Sequence, residues 1–113
     1  MDGLAHGACA MMPGSGLVDV NAEIFRRYDA GNIAGARDIS YSLQPYLVFA
    51  LQHLELGLQL EKRVLVRRGV FPSDRMRRPT LQLDEDYEKQ MDELVGYAIG
   101  VSREVRKGRS AST

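Results

Sequence analysis

The chain has 113 residues, 44% apolar and 27% charged, which suits one globular domain with a modest core. Its 15 basic and 15 acidic residues cancel, so the molecule as a whole makes no electrostatic case for nucleic acid or an anionic membrane. The lone Cys9 excludes an internal disulfide, no apolar run approaches the ~20 residues of a spanning helix, and no basic start leads into a signal core, so a cytoplasmic protein is expected.

The opening residues Gly7-Ala8-Cys9-Ala10-Met11-Met12 are small or apolar and uncharged, and Pro13, Gly14 and Gly16 then break the run. An apolar run without polar alternation predicts a strand buried on both faces. The glycine-rich turn leads into a helix, with Asp19 placed to cap its free amides. No second strand is predicted anywhere else. Unpaired backbone groups in a buried strand cost about 1–3 kcal/mol each, so the pattern is that of one end of something larger.

Val20, Ile24, Phe25 and Tyr28 fall on one face of a helix that Gly31 closes. Asn32 is placed to cap a second, long helix with an inner stripe of Ala36, Ile39, Leu43, Leu47, Ala50, Leu51 and Leu54. Pro45 removes a backbone donor inside it and predicts a local kink. Gly57 interrupts the pattern, which resumes over 58–65 and ends at Arg67-Arg68-Gly69. Residues 70–83 hold two prolines and no period, and read as an extended connector. Asp84-Glu85-Asp86 begins the last helix with acids at its positive end. Its buried stripe is Tyr87, Met91, Leu94, Val95, Ala98 and Ile99, extended by Val105. Gly96 and Gly100 share a face suited to close helix approach, and 108–113 reads as a disordered tail.

Several local signatures then stand in a known order. Gly7-Ala8-Cys9-Ala10-Met11-Met12, Tyr28-Asp29-Ala30-Gly31-Asn32-Ile33-Ala34-Gly35-Ala36-Arg37, Leu43-Gln44-Pro45-Tyr46-Leu47, Lys62 with Val64-Leu65 and Arg68-Gly69-Val70, and Arg77-Arg78-Pro79 run through residues 3–100. Together they resemble the C-terminal part of the dihydrodipicolinate synthase / N-acetylneuraminate lyase family of pyruvate-type Schiff-base lyases. Ala10 stands where that family usually has Gly, and Leu17 where many members have Asn.

The resemblance implies an α/β fold, a (β/α)8 TIM barrel followed by extra helices, of which this chain supplies the last strand and helix and the helical C-terminal extension. On its own the piece is mostly α. Residues 1–31 would be the last barrel strand, the active-face loop and its helix, and 32–107 the helical extension. The function implied is that of an aldolase or dehydratase acting on a small-molecule 2-oxo acid through a lysine imine, in a homo-oligomer and without a metal or cofactor. The family's Schiff-base lysine and catalytic tyrosine lie on earlier strands and have no counterpart here, so the isolated chain is expected to be inactive. One site position carries over: Met12, at the end of the last strand, would lie against the pyruvate moiety.

Other residues read more plainly. Cys9 has only His6 nearby to activate it and reads as a structural thiol. His6 and His53 lack partners at metal-ligand spacing. Lys62, between Glu61 and Arg63, reads as a surface or packing lysine rather than an imine former. Arg67, Arg68, Arg75, Arg77 and Arg78 form a basic cluster with little aromatic interleaving, read as solvated or internally paired. Gly14-x-Gly16 before a helix resembles a phosphate loop but lacks the Walker spacing. Two rivals to the lyase remain: a helical oligomerisation or interaction module derived from such an enzyme, and, last, a basic nucleic-acid binder.

Overall fold

The computed structural model describes residues 1–111. It is mostly helical, with no strand among the described residues. Six helices follow in order: α1 Asp2–Ala5, α2 Val18–Asp29, α3 Ile33–Ser42, α4 Gln44–Ala50, α5 Leu54–Arg67 and α6 Glu85–Ala111, with a single 3-10 turn at Ser15–Leu17 before α2.

The stretch 7–12 corrects the sequence reading. It runs as exposed coil from Gly7, whose φ is +89°, to the 3-10 turn, and is neither a strand nor buried. The physical reason is the one that made the strand anomalous. With no neighbouring strand to receive its N–H and C=O groups, the backbone stays in water, which satisfies them at no cost.

The helices form where the apolar spacing places them. α2 buries Val20, Glu23 and Ile24, three and four apart, and packs along α3. Gly31 turns the chain at φ +81°, and the Asn32 side chain accepts from the Gly35 amide at 3.0 Å to cap α3. The long second helix is three helices in the structure. α3 stops at Ser42, Pro45 sits in the first turn of α4 where its missing N–H costs nothing, and an extended His53 separates α4 from α5. The His53 ring accepts from the Glu55 amide at 3.2 Å and caps α5.

Gly57 does not interrupt α5. A Cβ there would lie 2.9 Å from the Ala50 carbonyl oxygen, so this glycine lets the backbones of α4 and α5 touch. Gly96 and Gly100 have no such role: Gly100 faces open space, and only the Arg67 guanidinium, at 3.7 Å, lies near Gly96. The close approach sits on α5 instead of α6.

α5 is the central helix, against the 3-10 turn, α4 and α6. Leu56, Leu60 and Val64 on it meet Met91, Val95 and Ala98 of α6 in one core, with Leu43, Tyr46 and Phe49 closing one end. Residues 70–84 connect α5 to α6 without regular structure, as expected. The Asp84 side chain accepts from the Tyr87 amide at 2.9 Å and starts α6. That helix then runs through Gly108 to Ala111, where a tail was expected, because each added residue of a packed helix closes one more backbone bond. Residues 112 and 113, the rest of that expected tail, lie outside the described residues. No helix among the described residues is long and apolar enough to cross a membrane.

Candidate functional site

The residues that follow Met12 are held with unusual care for a loop. Gly16 is gripped at both of its backbone groups by side chains of α5 and of Arg68, the residue that ends it. Its N–H donates to Glu61 Oε2 at 2.6 Å, and its carbonyl accepts from Arg68 Nη1 at 2.7 Å. Glu61 and Arg68 are seven residues apart, two helical turns, so both project from one face of α5. Neither loop glycine has room for a side chain. A Cβ on Gly14 would lie 2.6 Å from the Glu61 carboxyl carbon, and one on Gly16 2.8 Å from its Oε2. These glycines serve close backbone approach to a carboxylate, not a phosphate cradle.

Two further groups brace the grip. The Tyr46 hydroxyl donates to Glu61 Oε1 at 3.0 Å, and burial together with the Glu61 charge pushes that phenol well above its usual range. Arg68 also forms a two-toothed pair with Asp19, at 2.9 and 3.0 Å. Asp19 takes two further donors from α6, Ser102 Oγ at 2.5 Å and Arg106 Nε at 3.0 Å. Burial alone would raise the Asp19 carboxyl, but Arg68, Ser102 and Arg106 outweigh it and hold the group far below the carboxylate range. Asp19 therefore does not cap α2. It sits in the first turn and ties α2 to α5 and α6 at once.

Upstream of this braced loop the chain is exposed and apolar. Met12 is 99% exposed, and Met11 and Cys9 are exposed beside it. Cys9, Met11, Pro13, Val18, Ala22 and Phe25 line an open hollow of about 390 Å³ against α2. Met12 is thus displayed at the edge of the bundle, with the turn on its C-terminal side tied to α5 and the residues on its N-terminal side exposed.

The remaining singled-out residues are spread apart. Lys62 Nζ donates to the Arg75 carbonyl at 2.8 Å and packs the connector. His6 Nδ1 lies 2.8 Å from the Asp2 carbonyl and His53 caps α5, far from each other in role. The arginine cluster is divided. Arg68 turns inward to Asp19, while Arg75 and Arg78 line a cleft on the connector. Among the described residues no three His, Cys, Asp or Glu side chains are grouped to hold a metal.

Sequence reasoning passed over Glu61, Tyr46 and the Asp19–Arg68 pair. The signal for them was the seven-residue spacing of Glu61 and Arg68, opposite a Gly-x-Gly loop. What the arrangement achieves is positional: it fixes the turn behind Met12 and leaves Met12 outward. Comparison with known proteins gave no matching family model, no matching curated protein and no matching solved structure.

Proposed function

We propose that this chain serves as the C-terminal part of a pyruvate-type Schiff-base lyase resembling dihydrodipicolinate synthase, an aldolase or dehydratase of 2-oxo acids. The observation that carries the reading is the contrast at Met12. An exposed, apolar, unpaired segment runs straight into a glycine turn that α5 clamps at both backbone groups. A last barrel strand needs that mechanical arrangement. Its own pairing partners come from the barrel, and the loop at its C-terminal end, where barrel chemistry takes place, is set by the layer behind it. The ordered motifs from Gly7 to Pro79 are what support this choice of family.

In this reading the 7–12 segment pairs with barrel strands, and Met12 walls the pyruvate end of the pocket. The lysine amine, supplied outside this chain, condenses with the 2-oxo group and expels water. The resulting imine accepts the electron pair of the adjacent carbon, and a tyrosine carries the proton. This chain contributes wall, loop and packing, and has no turnover alone. The test captures the native product with an antibody to residues 77–93 and treats it with pyruvate and borohydride. The reading expects a reduced covalent adduct on a lysine outside this chain. No adduct, or one on Lys62, contradicts it.

A second reading has its own support. Val48, Leu51, Leu54 and Leu58 are all exposed along α4 and α5, with Leu51 at 82% and Leu54 at 78%, beside a core that closes without them. That row suits a helical oligomerisation module derived from such an enzyme. In the lyase it would be a contact with another subunit. Leu51→Glu with Leu54→Glu breaks the oligomer in either case, but only the lyase loses borohydride trapping with it.

A further inference from the structure

We infer that the hollow where α4, α5 and the glycine loop meet is a binding site for a small alkylammonium, a primary amine with an apolar body, whose charge is held by Glu61. The hollow has a volume of about 390 Å³, inside the roughly 300–1,000 Å³ of small-molecule sites. Its walls are mainly apolar, from Leu47, Leu51, Leu54 and Leu58, and Glu61 is the one acid that lines it. Gly14 and Tyr46, the residues that flank this carboxylate, line the same hollow. The carboxyl carbon and both oxygens would lie within 2.8 Å of a Cβ on Gly14, and the Tyr46 hydroxyl is 3.0 Å from Oε1.

What marks Glu61 is a charge without a counter-charge. It is half-buried, and both of its bonded donors, the Gly16 N–H and the Tyr46 hydroxyl, are neutral. By contrast, Asp19 meets Arg68 and Arg106, and Glu23 meets Arg26 and Arg27. The cations next to Glu61 in sequence are turned elsewhere, Lys62 to the Arg75 carbonyl and Arg63 to Glu88 and Asp92. No ion-pair partner of Glu61 stands among the described residues. A carboxylate beside apolar walls attracts a cation more strongly than one in water, because the local dielectric is low. Each oxygen already accepts one donor. That leaves lone pairs for a compact ammonium, whereas a planar guanidinium fork would need both oxygens free along one edge. The apolar body of the ligand covers Leu51, Leu54 and Leu58, all exposed in the chain. Charge chooses this occupant over a second copy: a copy set on the face by two-fold symmetry brings a second apolar row and a second unpaired carboxylate, but no cation. The inference does not depend on the lyase reading, and it competes with the oligomer reading for Leu51 and Leu54.

The test titrates n-hexylammonium, and separately n-hexanol, into the full chain at constant ionic strength, following backbone amide resonances. Saturable shifts at Gly14, Gly16 and Leu58 are expected with the amine. The alcohol, with the same body and no charge, should bind about tenfold or more weakly, as loss of a hydrogen bond between charged groups does. Glu61→Gln should bring the amine down to the level of the alcohol. Leu58→Lys is the second variant, at an exposed position one turn before Glu61. It supplies an ammonium from within the chain and should abolish binding of the amine while the fold is kept. Equal binding of amine and alcohol would overturn the site. So would shifts that do not saturate or that centre on Asp84, Glu85 and Asp86, and binding unchanged in Glu61→Gln and in Leu58→Lys. Self-association through Leu51 and Leu54 that excess amine does not displace would give the face to a second copy and overturn it as well.

Discussion

The carboxylate of Glu61 lies 2.6 Å from the backbone nitrogen of Gly16, 45 residues earlier in the chain, and the space it fills is the space a side chain on Gly14 would need. Acid and glycine are two halves of one contact. Glu61→Ala removes the acceptor for Gly16 and Tyr46 and should cost about 1–3 kcal/mol. Gly14→Ala should destabilise the chain by a similar amount, because the clashing carboxylate is itself bonded in place. Combined, the two changes should cost less than their sum, since each removes the other's reason. Urea unfolding of the four proteins measures this; strict additivity would mean that the loop does not rest on Glu61.

Asp19 joins three helices. Its replacement by Ala takes away the carboxylate partner of Arg68, which is only 16% exposed and keeps just the Gly16 carbonyl, a loss of about 1–3 kcal/mol. Arg106→Ala should cost under about 1 kcal/mol, because that side chain is mostly in water. Thermal melts of both variants should therefore separate clearly. Equal losses would contradict the hub.

Acid should weaken the fold through two carboxylates. Asp19 is held far below its ordinary value, and Glu23, 1% exposed, is lowered to about 2, chiefly by its hydrogen bonds to Arg26 and then Arg27. A carboxyl with a depressed folded value binds protons more readily unfolded. Its stabilisation is complete above the ordinary carboxylate range and is lost as pH falls through that range toward the folded value. Urea midpoints should hold from pH 7 to 5 and fall steeply between about pH 4 and 2. Asp19→Asn with Glu23→Gln should flatten that fall; an unchanged slope would locate acid sensitivity elsewhere.

Two glycines in helices should respond oppositely to Ala. Gly100 faces open space, so Gly100→Ala should stabilise by roughly 0.5–1 kcal/mol through helix propensity. Gly57→Ala places its methyl against a backbone carbonyl of α4 that cannot swing aside, and should destabilise despite the same propensity gain. Stabilisation by both would show that α4 and α5 are not in contact there.

These glycines also mark what was legible in the sequence. Val20 and Ile24 of α2, Met91, Val95, Ala98 and Val105 of α6, the Asn32 cap, the stops at Gly31 and Gly69 and the connector follow from spacing and single-residue chemistry, whereas Tyr87, expected in the buried stripe, is exposed. The division of the second helix at Leu43 and His53 was half legible: Pro45 announced a disturbance, but a proline in a first turn starts a new helix as readily as it kinks an old one. The 7–12 segment misled because apolarity reports a tendency to be covered, and coverage requires a partner. Asp19 and Glu61 were missed because their partners lie 49 and 45 residues away, at distances no local pattern encodes.

Met12 separates stability from function. Being 99% exposed, it contributes nothing to the bundle, and Met12→Ala should leave the melting temperature of the chain within error. Under the proposed lyase reading, in which Met12 walls the pyruvate subsite, the same change should raise the KM of the whole enzyme for the 2-oxo acid severalfold. A KM unaffected by Met12→Ala would displace it from the site.

The central claim, that these helices back the last strand of a larger barrel, is tested most directly by the intact mass of the native product captured through residues 77–93. The account expects a protein of about 250–310 residues, the size of a barrel with a helical extension. A product of 113 residues would contradict it and move the search for function to what the exposed faces of α4 and α5 bind.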